Sequence, residues 1–157
     1  MERRNYNGAQ FSQSMTIVEK AGIEIEDCRN RAMAYDSSGN VVPASDGTKP
    51  IVGIALVEAG QNDISGSSSG RAAIGEDVDI QIKDIGFILA GDRIAKGAEV
   101  TAMAGGFGTA AAAGDYVVGL ALDGAEKGDC CMVQISKYQK AGSPAGGSMA
   151  GPGGDGE

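Results

Sequence analysis

The stretch most suggestive of chemistry is Gly106–Ala111, whose letters G-F-G-T-A-A match the G-x-G-x-x-A turn that binds phosphate in dinucleotide-binding proteins. Asp123 follows at about the position of a ribose-binding acid. A parallel crossover, however, needs about a dozen residues or more, usually in a helix. Residues 109–113 provide little more than one helical turn before Gly114 and Asp115 end it. We therefore interpret the stretch as a hairpin turn.

A second motif, Ala90–Val100, has the letters A-G-D-R-I-A-K-G-A-E-V. Its G-D-x-I-x-K-G phrasing is similar to half of a biotinyl or lipoyl carrier domain, in which a modifiable lysine follows on a hairpin tip. The matching stretch here, residues 101–106, contains no lysine. This excludes a carrier function at that site.

Acid-base and nucleophilic catalysis are not indicated, because the chain has no histidine, the usual base for a Ser or Cys nucleophile. The acid pairs Glu24/Glu26 and Asp77/Asp79 alternate with other residue types, as on the solvated face of a strand. The three cysteines lack the spacing of metal ligands. We expect a protein that is not an enzyme and has no cofactor and no metal.

The composition also excludes several partners. A formal net charge of −8 opposes binding to phosphate backbones, so we expect no nucleic-acid partner. No apolar run reaches the ~20 residues that span a bilayer, and no apolar signal segment follows the N-terminus, so we expect no membrane partner and no export. The 26 glycines and the absence of tryptophan favour short strands joined by tight turns over a helical bundle.

The elements that organise the chain are two copies of one strand, Pro50–Leu56 (P-I-V-G-I-A-L) and Tyr116–Leu122 (Y-V-V-G-L-A-L), which are identical at four of seven positions. Short apolar runs bounded by turn residues predict buried strands. Alternation directs large side chains to the core and leaves Gly and Ala where another backbone can approach closely. The side chains predicted to point inward are Val52, Ile54, Leu56, Val118, Leu120 and Leu122.

Further strands are predicted on both sides of these copies. Cys131, Val133 and Ile135 are expected inward and Cys130 outward, whereas in the first copy Asp79 and Gln81 are expected outward. The other predicted strands are residues 14–18, 23–28, 32–35, 41–44, 78–82 and 85–89, with a hairpin turn at 36–40.

These patterns predict an all-β fold, a small duplicated β-barrel or β-clip-like domain with an extended N-terminal arm and a Gly-rich C-terminal tail. The arm is residues 1–13, the duplicated domain 14–138 and the flexible tail 139–157. The repeats are about 21–82 and 90–135. The first is about 12 residues longer, which predicts an inserted loop at 60–71.

The repeated V-G-x-A-L strand, the V-x-I-Q-I strand after it and the A-G-D-x-I-x-K-G-A-E-V phrase resemble, in their order, the capsid cement or head-decoration proteins of tailed bacteriophages. The resemblance covers residues 14–138. It implies a virion protein, made in the host cytoplasm, that binds the outside of the head and reinforces contacts between major capsid protein subunits. It also implies self-association, with a trimer as one possibility. The alternative is a soluble β-barrel that binds a ligand or serves as a carrier.

The N-terminal arm carries the residues that we predict to contact the capsid or another subunit: Arg3, Arg4, Tyr6 and Phe11. Two adjacent cations stand out on an acidic protein, and Arg and Tyr are enriched where a few side chains dominate binding. A frayed terminus is the alternative.

Overall fold

The computed structural model describes residues 14–65 and 67–142. Within them the chain forms ten strands and no helix, in two five-stranded antiparallel sheets, which confirms the all-β prediction. The first sheet contains β1 (Thr16–Lys20), β2 (Ala32–Tyr35), β3 (Val41–Pro43), β4 (Gly53–Ala55) and β5 (Asp77–Gln81). The second contains β6 (Asp84–Leu89), β7 (Glu99–Met103), β8 (Phe107–Ala110), β9 (Tyr116–Ala121) and β10 (Cys130–Gln139).

The two sheets repeat one topology. Their strand orders are β1-β5-β4-β2-β3 and β6-β10-β9-β7-β8, so each strand of the first half corresponds to the strand five places later. The registers agree as well: Ile54 lies opposite Gln81, and Leu120 lies opposite Gln134. The predicted duplication is confirmed, and the strands around Gly53 and Gly119 occupy equivalent places.

The turns repeat along with the strands. The amide of Gly22 donates to the carbonyl of Val41 over 2.8 Å, and the amide of Gly91 donates to the carbonyl of Gly108 over 2.9 Å. Ala72 bridges to Ile25 in the first half, as Ala125 bridges to Ile94 in the second. The structural repeat therefore includes the turns, and it starts at β1 and β6, ahead of residues 21 and 90.

Each half has its own hydrophobic core, but only the second core includes side chains from both halves. Ile54, which is 1% exposed, belongs to the second core together with Ile88, Val133 and Ile135. The side chains that the first half contributes to this second core are Ala32, Ala34, Ala44, Ile51 and Ile54. The core of the first half is built around Met33, Val41, Val52, Ala55, Val78 and Ile80.

Polar contacts reinforce this junction between the halves. The side-chain amide of Asn30 donates to the carbonyl of Phe87 over 2.9 Å, while the amide of Leu89 donates to the carbonyl of Asn30 over 2.8 Å. The Arg31 guanidinium lies 3.5 Å from the centre of the Phe107 ring, a cation–π contact between the halves. The two halves consequently pack as one unit.

The predicted alternation in the repeated strand is wrong at several positions. Val52 and Leu56 pack in or against the first core, as does Ala55, whereas Ile54 points into the second. The reason is that β4 is only three residues long, so the alternation does not extend to Val52 or Leu56. In the second copy, Leu120 is 40% exposed although it was predicted inward. The β9–β10 register shifts between Ile135 and Tyr138, so Val118 lies outside the regular pairing. Leu120 is regularly paired with Gln134 and is exposed because no other part of the described chain covers that side of the sheet.

The prediction that Gln81 points outward is also wrong, since this residue is 8% exposed. Its side-chain amide donates to the carbonyls of Lys83 and Ile85, at 2.9 and 2.7 Å, at the start of the second half. Residues 23–28 do not form the predicted strand; only Ile25 makes a bridge there. The hairpin of β2 and β3 is confirmed, and Gly106–Ala111 belongs to the hairpin of β7 and β8 rather than to a nucleotide-binding turn.

The predicted register of β10 is confirmed by its cysteines, because Cys131 is buried and Cys130 is exposed. Burial raises the pKa of Cys131 to about 11, and burial likewise raises the pKa of Cys28 to about 11. The thiolate is the reactive form of cysteine, and it forms in quantity only as the pH rises towards the pKa. At pH 8 a thiol reagent should therefore modify Cys130 at least about a hundredfold faster than the other two.

Thiol labelling followed by mass spectrometry checks this expectation. The control is Cys130→Ser, which should remove the fast phase of labelling. The reference is urea-unfolded protein, in which all three thiols are reactive. Equal labelling of Cys130 and Cys131 in the native protein would mean that the register of β10 is wrong.

Candidate interaction surfaces

The residues predicted from sequence to make capsid or subunit contacts, Arg3, Arg4, Tyr6 and Phe11, lie outside the described residues. Their proposed role stays a prediction. The described part of the chain contains three other surfaces with the features of a contact site: an inserted loop, an apolar sheet face and a groove between the halves.

The inserted loop joins β4 to β5. Fifteen residues, 57–71, connect Leu56 to Ala72, where the second half needs only Asp123 and Gly124 between Leu122 and Ala125. The base of the loop is fixed to the body, because the amide of Cys28 donates to the carbonyl of Gly70 over 2.9 Å. Arg71 also forms an ion pair with Glu24.

The tip of the loop is organised by one carboxylate. Asp63 accepts hydrogen bonds from the amide of Ser65 at 3.0 Å, the hydroxyl of Ser67 at 3.1 Å and the amide of Ser68 at 3.3 Å. A hydrogen bond from the Ser65 hydroxyl, together with these three bonds, lowers the pKa of Asp63 to about 2. Since the folded pKa is depressed, this stabilisation is present above the unfolded value near 3.9 and is lost as the pH falls through about 2. Two apolar side chains of the loop point outward, since Ile64 is fully exposed and Val57 is 68% exposed, whereas Ala59 is buried in the first core.

The apolar sheet face is the outer side of the second sheet. Gln134 in β10 lies between Ile85 of β6 and Leu120 of β9, and Met132 lies beside Phe87. Directly opposed residues in an antiparallel sheet present their side chains on the same side, so these five form one continuous surface. We call it the Leu120 face. Ile85, Phe87 and Leu120 are 40–48% exposed.

The corresponding surface of the first sheet is different. Thr16, Val18 and Asp79 stand where the second sheet has Ile85, Phe87 and Met132, so this part is more polar. The remaining two positions, Ile54 and Gln81, are buried by the second half. The Leu120 face does not follow from alternation in the sequence, because alternation alone does not tell which side of a two-sheet unit is covered. The sequence does contain one indication of an apolar outer face: in Ile85–Leu89, large apolar residues occupy both odd and even positions, so both sides of the strand are apolar.

The third surface is an apolar groove along the junction of the two halves. One section, of about 300 Å³, is lined by Ile17, Tyr35, Val52 and Ile82 on the first half. An adjoining section, of about 320 Å³, is lined by Tyr116, Val117, Tyr138 and Gln139 on the second half. Pro50, Ile51 and Lys137 line both sections. Lys137 is held in place because its ammonium donates to the carbonyl of Val52 over 2.7 Å.

Among residues 14–65 and 67–142, no group of three His, Cys, Asp or Glu side chains is placed to hold a metal ion. No helix long and apolar enough to cross a membrane occurs in the same ranges.

No protein-family model matches the chain, and no curated protein matches its sequence. Its fold is similar to that of the head fiber gp8.5 N base in bacteriophage phi29, known from a crystal structure. The TM-score is 0.53 and the sequence identity 16%, and the match covers 79% of this chain and 95% of that chain. At this identity the likeness concerns the fold. The structural match includes residues of both halves, because neither half alone amounts to 79% of the chain.

Proposed function

We propose that this protein is a structural component of a phage virion that binds the outer surface of the head and reinforces contacts between major capsid protein subunits. The observation that carries the proposal is the fold shared with the base of a phage head fiber, over nearly the whole length of that chain. The order of the repeated sequence motifs supports the same function independently, because it resembles that of capsid cement proteins.

The chemistry of the described surface is consistent with this role. Its candidate contact elements are exposed apolar and aromatic side chains, such as Ile64 on the inserted loop, and these gain free energy by being covered. A stable contact of standard size buries roughly 800 Å² on each partner. The predicted arm, residues 1–13, and the inserted loop, residues 57–71, are two candidate contact elements on one molecule, and contacts with different capsid subunits would bridge those subunits.

The proposal is tested by co-sedimentation of the purified protein with expanded heads of the phage whose genome encodes it, prepared without the protein. We expect saturable binding with a fixed number of copies per head. Deleting residues 2–13 should weaken this binding by about tenfold or more, equivalent to about 1.4 kcal/mol, while leaving the melting temperature and circular dichroism unchanged.

The control is a variant with the same length of arm in which Arg3, Arg4, Tyr6 and Phe11 are replaced by Ser; it should bind as weakly as the deletion. Full-length protein that remains in the supernatant at saturating concentrations would contradict the function. Tight binding by the deletion variant would contradict only the role of the arm.

A further inference from the structure

We propose that the Leu120 face is a self-association site, which docks into the groove of a second copy of this chain at the section lined by Ile17, Tyr35, Val52 and Ile82. The inference rests on how the two halves pack on each other. It is independent of the proposed attachment to a phage head.

The packing of the two halves shows how one repeat docks on the following repeat. The first half presents Ile54 and Gln81 from its sheet, and the second half receives them. A Cβ added at Gly86 would lie 3.2 Å from the Cδ1 of Ile54 and 3.2 Å from the Cδ1 of Ile135, so Ile54 seats at this point. The docking surface of one unit and the receiving surface of the other consist of different residues, and the contact is therefore head-to-tail.

Such a contact leaves one docking surface and one receiving surface free. The docking residues Ile54 and Gln81 correspond in the second half to Leu120 and Gln134, and Leu120 is 40% exposed where Ile54 is 1% exposed. Phe87, beside them on the same face, is 48% exposed. This end of the tandem consequently presents an uncovered surface equivalent to the one that the first half buries.

The corresponding receiving surface of the first half is open, and it lies in the groove along the junction of the two halves. The registers make Ile17 the counterpart of Gly86, Ile82 the counterpart of Ile135, and Tyr35 the counterpart of the buried Ala102. These first-half residues line one section of the groove, which the second half's Lys137 borders. Tyr35 is 45% exposed, and Ile17 and Ile82 are half-buried.

The two receiving surfaces differ in depth. Ile17 and Tyr35 are larger than Gly86 and Ala102, so the groove is shallower than the internal site, and Leu120 would lie against these side chains rather than insert between them. An aromatic ring at the edge of the site increases the apolar area that the contact covers. A second copy suits this groove because it offers the same kind of surface that the second half already receives from the first.

A head-to-tail contact between identical chains forms a ring when its rotation closes and an open chain when it does not. The first test is sedimentation velocity of the full-length protein at increasing concentration, up to about 100 µM. We expect association of the unmodified chain. Leu120→Lys should weaken it by at least about tenfold, since a charge then replaces the central apolar side chain.

The matched control is Ile74→Lys. Ile74 is 71% exposed and lies outside both surfaces, and the equivalent residue of the second half is already a lysine, Lys127. The control should associate as the unmodified chain does. Circular dichroism and melting temperature establish that both lysine variants are folded.

Mixing two variants distinguishes head-to-tail from face-to-face association. Tyr35→Lys should disrupt the groove and leave the Leu120 face intact, so each variant alone should be monomeric. In an equal mixture, the intact Leu120 face of the Tyr35→Lys variant can bind the intact groove of the Leu120→Lys variant. The two variants should therefore form a one-to-one dimer. The proposal is overturned if the unmodified chain stays monomeric, if Leu120→Lys associates normally, or if Tyr35→Lys associates normally.

Discussion

Alanine at Gly119 should lower the free energy of unfolding by about 2 kcal/mol or more, and alanine at Gly53 should do the same. A Cβ at either position would lie less than 3.0 Å from a backbone carbonyl oxygen, that of Gln134 beside Gly119 and that of Gln81 beside Gly53. The neighbouring strand would have to move, because a backbone oxygen cannot rotate away as a side chain can. The melting temperature should fall by about 4–8 °C in each variant.

Gly124→Ala is the matched control, because the nearest atom to its new Cβ is 3.5 Å away, an ordinary contact distance. Its melting temperature should change little. Chemical denaturation of the three variants measures the differences directly. If Gly53→Ala and Gly119→Ala were both as stable as the control, the two strands would not make the equivalent close approach on which the structural duplication depends.

Replacing the inserted loop with the short connection of the second half should separate attachment from folding. In this variant the dipeptide Asp-Gly stands in place of residues 57–71, as Asp123-Gly124 stands between Leu122 and Ala125. The strands should still form, because the second half shows that two residues suffice, while the loss of the buried Ala59 and of the Cys28–Gly70 hydrogen bond should lower the melting temperature somewhat. Binding to phage heads should weaken by about tenfold or more, since the exposed Ile64 and Val57 are removed.

A smaller change within the same loop provides the control. Ile64→Ser keeps the length of the loop and the bonds to Asp63, and it should lose a part of the binding that excision removes. Binding is measured by co-sedimentation and folding by melting temperature. Undiminished binding by the excised variant would exclude the loop as a contact element and leave the arm and the described sheet faces.

The strands that were predicted correctly are those whose pattern is local. The β2–β3 hairpin follows from the turn residues Asp36–Asn40, and the duplication follows from two short copies whose glycines are required by a neighbouring carbonyl. The burial of Cys131 and the exposure of Cys130 follow from alternation in a long, regular strand. In each case the sequence near the residue determines its environment.

The predictions that failed depend on packing between the halves. Ile54 and Leu120 occupy the same place in the two repeats, yet one is buried and the other exposed, because only the first repeat has a neighbour on that side. Gln81 is buried for the same reason. Residues 23–28 alternate like a strand, but Ile25 alone forms a β-bridge there, so the segment does not pair along its length.

The most direct measurement of the central claim is the stability of DNA-filled heads with and without this protein. Heads from phage that lack the gene are heated with a DNA-binding dye, and the temperature at which the DNA becomes accessible is recorded as purified protein is added. A protein that binds the head and bridges capsid subunits should raise this temperature until its sites are full, and the loop-excised variant should require a higher concentration to do so. An unchanged release temperature at full occupancy would contradict reinforcement, and an absence of binding would contradict the proposed function as a whole.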